Sequence, residues 1–284
     1  MASELIRPGR FFRVRLRFSR GVITIAIIVV VLAVGVSVGL YHLLKRAPLA
    51  QPPEAFCSVT TPDGVRTLLP EQAQIAATIA AVAARRGLPE RAVVIAYATA
   101  MQESKIQNLE FGDRDSVGVF QQRSSQGWGT KKQLMDPVYA TNKFFAALVK
   151  VRNYRKIPLA EAAQAVQRSA GGYAYAPHET DAKILAAAFT GRVPKAVHCW
   201  YPPGKSPVPL PKTAEARKQL ARALGSTAIT TKKRGWLVAA WSVAHAEKYA
   251  LTKVGYNGAT WVNDFEAAGW RQGGAAGARK VELA

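Results

Sequence analysis

Residues 90–122 read ERAVVIAYATAMQESKIQNLEFGDRDSVGVFQQ. From 92 to 101 no side chain is charged, and Ala96, Ala98 and Ala100 alternate with larger apolar residues. An uncharged run of helical length marks a helix that is apolar on most sides and packs inside a protein. Its small residues permit close approach of neighbours. Polarity returns at Gln102, Glu103 and Ser104. Glu103 lies three positions after Ala100 and seven after Ala96, so it shares their face. Burial at that place disfavours the ionised carboxylate, which is the condition a general acid must meet. Ion pairing with one of the chain's many arginines is the other reading of such a glutamate.

Flanking segments read as further helices. Pro70 suits a first helical turn, and Gly87 suits the stop after QAQIAATIAAVAARR. Asp136-Pro137 pairs an N-cap with a first-turn proline ahead of VYATNKFFAALVKV. Pro158 opens LAEAAQAVQRS, and a last helix runs from 178 to 190 before Gly191. Between 107 and 136 the chain is rich in Gly, Ser, Asp and Gln, has no helical period, and reads as a long structured loop of the kind that carries function.

Further out, residues 21–44 carry no formal charge. A helical span needs about 20 apolar residues, and this run suffices. Six arginines precede it, and only Lys45 and Arg46 follow closely, so the positive-inside rule places the N-terminus in the cytoplasm. A cleaved signal peptide is the alternative. Its apolar region is shorter, about 7–15 residues, and ends at a small-residue site, whereas Pro48 makes Ala47-Pro48-Leu49-Ala50 a poor site here. The net charge is +21 over 284 residues. Residues 1–46 hold eight basic groups and one acid, so about +7 is a topology signal and about +14 sits on the remainder. An apolar content of 49% excludes a wholly disordered chain, and a single long apolar run excludes a polytopic membrane protein. No nucleic-acid-binding module is recognisable. The scattered histidines and two cysteines make no metal-ligand spacing, and no motif calls for a cofactor.

Cys57 and Cys199 bracket the helical region. Outside the cytoplasm such a pair is expected to form a disulfide; two buried thiols are the alternative. Residues 200–211 (WYPPGKSPVPLP) read as a linker. Beyond it come a helix over 213–223, a β-branched stretch at 227–231, and a helix over 234–250. Two strands then flank Asn257-Gly258, a strong hairpin signal. Trp236, Trp241, Trp261 and Trp270 are expected to form a small core; a glycan-binding platform is the alternative. The fold expected is mainly α. It comprises a basic cytoplasmic tail (1–20), a transmembrane anchor (21–44), a linker and strap (45–68), a helical domain (69–199), a linker (200–211) and a small α/β domain (212–284).

Glu103-Ser104, followed by Ser116 and then by Gly118-Val119-Phe120-Gln121, resembles the lytic transglycosylase and goose-type lysozyme superfamily. That family carries a Glu-Ser pair at a helix end and, at similar spacing, a serine ahead of a Gly-Leu-Met-Gln segment. The runs MQESKIQNLEFGDRDSVGVFQQRSSQGWGT, DPVYA and AVQRS are similar to those of actinobacterial membrane-anchored members, over roughly 57–199. The resemblance implies a lysozyme-like domain acting on peptidoglycan. Glu103 would be the acid/base; Ser104, Ser116, Gln121 and the backbone of Gly118, Val119 and Phe120 would lie at the sugar cleft. Tyr175 corresponds to a late tyrosine facing the glutamate, although the family's Asn-Ala-Gly context is replaced by Ala174-Tyr175-Ala176. Gln122 and Arg123 are candidates for holding carboxylates of the substrate, and Trp128 for stacking on a sugar or packing in the loop. Inverting hydrolysis wants a second carboxylate, for which Asp113 and Asp115 are candidates; both residues also suit turns.

The expected function is an extracytoplasmic, membrane-anchored enzyme cleaving peptidoglycan strands by transglycosylation or lysozyme-like hydrolysis. Its partners are peptidoglycan and, through the anchor, membrane lipid; wall-protein partners are unspecified. The alternatives are a catalytically silent lysozyme-like module that binds glycan or scaffolds, and a membrane accessory protein of unrelated role.

Overall fold

A computed structural model describes residues 19–46, 54–168, 173–202, 209–263 and 269–284. Most of the basic tail, the segment 47–53 and the centre of the proline-rich linker lie outside these residues. The chain forms two compact units, Met1–Pro52 and Pro53–Ala284.

In the first unit, α1 (Arg20–Arg46) is a continuous helix. Its stretch Arg20–His42 is 23 residues long and apolar enough to cross a membrane. At 1.5 Å per residue it reaches about 35 Å, against a hydrocarbon core of about 30 Å. Its apolar side chains, such as Ile25, Val31 and Val36, are exposed.

The second unit is mainly helical, with small antiparallel sheets. Residues 54–68, expected as linker and strap, instead contain β1 (Phe56–Thr61) and β2 (Gly64–Leu68), an antiparallel hairpin. Cys57, Val59 and Thr61 face inward, while Thr60 is exposed. The third strand, β5 (Val197–Trp200), pairs with β1 from the far side of the helical region. Cys57 sits directly opposite Cys199 and the two form a disulfide. With a sequence separation of 142, the bond restricts the unfolded chain by about 5 kcal/mol in the loop-entropy description.

Between these strands lie α2 (Pro70–Arg85) and α3 (Glu90–Ser104), then α4 (Lys131–Leu134), α5 (Pro137–Leu148), α6 (Leu159–Gln167) and α7 (Glu179–Phe189). Alanines line the buried faces of α2 and α3 and let the helices pack closely. Tyr97 of α3 donates to the Ala76 carbonyl at 2.7 Å and meets Phe189 of α7 edge-on at 6.5 Å. Asp136 caps α5 by accepting from Val138 N–H at 3.0 Å.

After the linker come α8 (Thr213–Leu224) and α9 (Lys232–Ala244), then a sheet of β6 (Lys253–Tyr256), β7 (Ala259–Val262), β8 (Trp270–Gln272) and β9 (Glu282–Leu283), in the order β8-β7-β6-β9. Asn257 (φ 49°) and Gly258 (φ 76°) both take the left-handed conformation that a tight hairpin needs. Residues 227–231 form no strand; Thr231 caps α9 by accepting from Arg234 N–H. That helix ends at Ala244, earlier than its sequence pattern suggests.

Core residues before and after the linker belong to one continuous cluster. Trp261 donates to His198 Nδ1 at 3.0 Å and Trp270 to the Val197 carbonyl at 2.8 Å, so tryptophans of the last sheet grip β5. Arg85 of α2 donates to the Arg222 carbonyl on α8 at 2.9 Å, and Arg222 in turn pairs with Asp136.

His245, just past α9, stacks on Trp241 with ring centroids 3.8 Å apart and donates from Nδ1 to the Trp241 carbonyl at 2.8 Å. Burial pushes its pKa from 6.5 down to about 3; the bond to Trp241 opposes that shift and Lys248 adds to it. The folded ring is therefore neutral where the unfolded ring takes up a proton. Its stabilising contribution is complete above pH 6.5 and lost as pH falls toward 3. Denaturant midpoints measured across that window are expected to fall, and to fall less steeply in His245→Phe; equal slopes would remove His245 from the explanation.

Candidate functional site

The site begins at the end of α3. Residues 92–100 are buried, Glu103 is half-buried and Ser104 is buried. The chain leaves the helix through two consecutive left-handed residues, Lys105 (φ 56°) and Ile106 (φ 59°). The Ile106 amide reaches back to the Ala100 carbonyl at 3.0 Å, a helix-closing bond. A β-branched residue in this conformation costs about 1–3 kcal/mol. Burial of the Ile106 side chain offsets that cost. Gln72 on α2 donates to the Lys105 carbonyl at 2.7 Å and holds the turn from the other side.

Ser104 joins the two sequence motifs. Its hydroxyl lies 2.7 Å from the Val119 carbonyl and 3.1 Å from the Ala100 carbonyl, donating to them, and accepts from Gln107 N–H at 3.2 Å. The spacing between Glu-Ser and Gly-Val-Phe-Gln thus reflects a direct contact between helix end and loop. Ser104→Ala leaves the Val119 carbonyl without this donor. A loss of about 1–3 kcal/mol in unfolding free energy is expected from denaturant titration.

The second motif is the turn of a small hairpin, β3 (Ser116–Val117) with β4 (Gln122–Arg123). Gly118 has φ +78°, and a Cβ there would lie 2.5 Å from the Leu134 carbonyl oxygen. Only glycine fits both constraints. Val119 and Phe120 are buried, and Phe120 stacks on Phe144 of α5 at 4.5 Å. The carbonyls of Gly118, Val119 and Phe120 accept from Gln121, Ser104 and Gln167 respectively. In this structure the segment therefore braces the loop from beneath. Gln121 adopts φ 47° and donates its amide to the Phe111 carbonyl at 3.3 Å as well as to Gly118.

Other expected site residues divide. Tyr175 is buried, and its hydroxyl donates to Glu103 Oε1 at 2.7 Å. Next to it, His178 Nε2 meets Gln102 Oε1 at 3.0 Å, so two adjacent bonds tie the end of α3 to residues 175–178. Among the described residues no hydrogen bond falls on Glu103 Oε2. Tyr175 fixes one carboxyl oxygen. Trp128 is partly buried against the core, and its carbonyl accepts from Tyr139.

Several of the expected roles change. Gln122 is buried and donates to the Ala140 carbonyl at 3.3 Å, so its side chain cannot touch a strand bound at the surface. Ser104 and Ser116 are likewise buried, which makes them parts of the support rather than of a binding surface. Asp115 is a clamp: it accepts from Ser125 N–H at 2.7 Å, Arg123 Nε at 2.8 Å and the Ser125 hydroxyl at 2.8 Å. Those bonds, the Ser125 amide first, hold its carboxyl far below the usual range. It is therefore ionised and committed to its loop. Arg123, the other candidate for a substrate carboxylate, is bound to this aspartate. Asp113 is exposed and lies 3.9 Å from Arg114.

Gln167 and the pair Gln102–His178 were not singled out from sequence. Gln167 does lie within the run AVQRS, and Gln102 directly precedes Glu103, so position beside a motif was the available signal.

A scan of protein families returns no match for this sequence, and no curated protein matches it.

Proposed function

We propose that the protein is a membrane-anchored peptidoglycan-cleaving enzyme whose acid/base is Glu103. The observation that carries this reading is the bond from the buried Tyr175 hydroxyl to Glu103 Oε1 at 2.7 Å, in a carboxyl that is only half-buried. A fixed, partly desolvated carboxyl at the end of a buried helix suits proton transfer to a glycosidic oxygen. The resemblance to the lytic transglycosylase and lysozyme superfamily supplies the substrate class.

In the transglycosylase mechanism Glu103 protonates the oxygen linking N-acetylmuramic acid to N-acetylglucosamine, and the glycosidic bond breaks. The resulting carboxylate then takes the proton of the muramoyl 6-hydroxyl, whose oxygen closes a 1,6-anhydro ring. One carboxyl serves both steps and no water enters. The clamped state of Asp115 removes one of the two candidates for the free second carboxylate, about 6.5–9.5 Å away, that inverting hydrolysis needs; the other, Asp113, is exposed. The arginine-rich start and α1 support a cytoplasmic N-terminus with residues 53–284 outside, where a disulfide between Cys57 and Cys199 is stable.

A second reading is a non-catalytic glycan-binding or scaffolding module. The altered residues around Tyr175 and the buried side chain of Gln122 favour it. Incubating the full-length protein in detergent with isolated sacculi separates the two. The enzyme reading predicts soluble muropeptides; binding without release assigns the module. On intact cells, external protease is expected to remove the second unit, and protection would overturn the orientation.

A further inference from the structure

A groove of about 820 Å³ runs along α5 and the end of α6. Lys143 of α5, Lys150 and Arg152 of the turn after it, and Arg168 beyond α6 line it with Trp128 and Gln167. No acidic side chain is among its described lining residues. Among the described residues none of the four cations forms an ion pair, whereas Arg66, Arg91, Arg192 and Arg222 are all matched with carboxylates. Four unmatched like charges around one concavity repel each other unless an anion enters. Arg168 follows α6 in the left-handed conformation (φ 52°) and is exposed. The groove is also tied to the acid/base: Gln167 donates to the Phe120 carbonyl at 2.8 Å, and the preceding carbonyl, Val119, accepts from Ser104 beside Glu103.

We propose that this groove binds the free carboxylates of peptides attached to the glycan strand, so that the protein prefers peptide-bearing strands to bare ones. The inference rests on the reading of Glu103 as the glycan-cleaving group. One feature favours a peptide over a phosphate-bearing wall polymer. The groove's lining includes apolar surface from Ala147, Val151 and Val166, which suits side chains and not a phosphodiester backbone.

The test uses full-length Glu103→Gln in detergent, so that cleavage does not confound binding. Its affinity is measured for intact sacculi, for sacculi stripped of peptides by an amidase, and for sacculi stripped of phosphate polymers by acid. At low salt, removing the peptides is expected to weaken binding about 10-fold, the sum of several screened ion pairs, and high salt to erase the difference. Removing phosphate polymers is expected to change little. Replacing Lys143, Lys150, Arg152 and Arg168 together by glutamine should abolish the peptide preference while leaving the thermal midpoint and the binding of stripped sacculi in place. A preference that survives this replacement, or a loss that follows the phosphate polymers, overturns the proposal. Fragment release by the wild type reports separately on Glu103, so failure of either reading is seen by itself.

Discussion

Glu103→Gln is expected to lower the release of glycan fragments by about 10²–10⁴-fold, the range for removing a general acid/base. Glutamine has nearly the same shape, and its carbonyl oxygen can still accept the Tyr175 hydroxyl bond that the carboxyl accepts at 2.7 Å. It cannot give up or take a proton near neutral pH. The Ser104–Val119 bond is untouched, so loop and helix end stay joined. Sacculus binding should therefore be retained and the unfolding midpoint should change little. Tyr175→Phe makes the complementary case. It keeps the acid/base and removes its restraint, and misplacing a reacting group by about 1 Å can cost 10²-fold. Loss of rate in Glu103→Gln with parallel loss of binding would indicate damage to the surrounding structure rather than to proton transfer.

Gly191→Ala is expected to be the most disruptive small substitution for the fold. Gly191 ends α7 with φ +75°, and a Cβ there would collide with the Lys233 carbonyl and lie 2.5 Å from the Leu237 amide. These are backbone atoms of α9, so no side chain can swing aside. Strain in the left-handed region and overpacking together predict about 3–4 kcal/mol of lost stability. Gly87→Ala is the control: its φ is also positive (+64°), but no atom lies within 4 Å of the added carbon. That variant should lose only about 1 kcal/mol. The core runs continuously through both segments, so denaturation followed by tryptophan fluorescence should show one transition, moved to lower denaturant in Gly191→Ala. Two separated transitions would mean that the segment after the linker folds by itself.

Local signals made the helices legible. Pro70, Gly87 and Asp136-Pro137 mark real helix ends, and Asn257-Gly258 marks a real hairpin, because caps and tight turns depend on residues within a few positions. The sheet of β1, β2 and β5 was not legible. Its strands are short and its pairing joins Cys57 to Cys199 across the whole helical region, a contact with no local periodicity. Residues 227–231 show the converse: β-branched residues without a partner strand form no strand. At the site, the face of Glu103 followed from helical spacing. The opposite fates of Gln121 and Gln122 did not, because the turn conformation after Gly118 decides which amide enters the core.

The most direct measurement is mass spectrometry of the new glycan ends produced from sacculi by the wild type and by Glu103→Gln. Glu103-dependent transglycosylation predicts 1,6-anhydromuramoyl ends from the wild type and neither these nor reducing ends from Glu103→Gln above the blank. The same ends at the same rate from both proteins would contradict it.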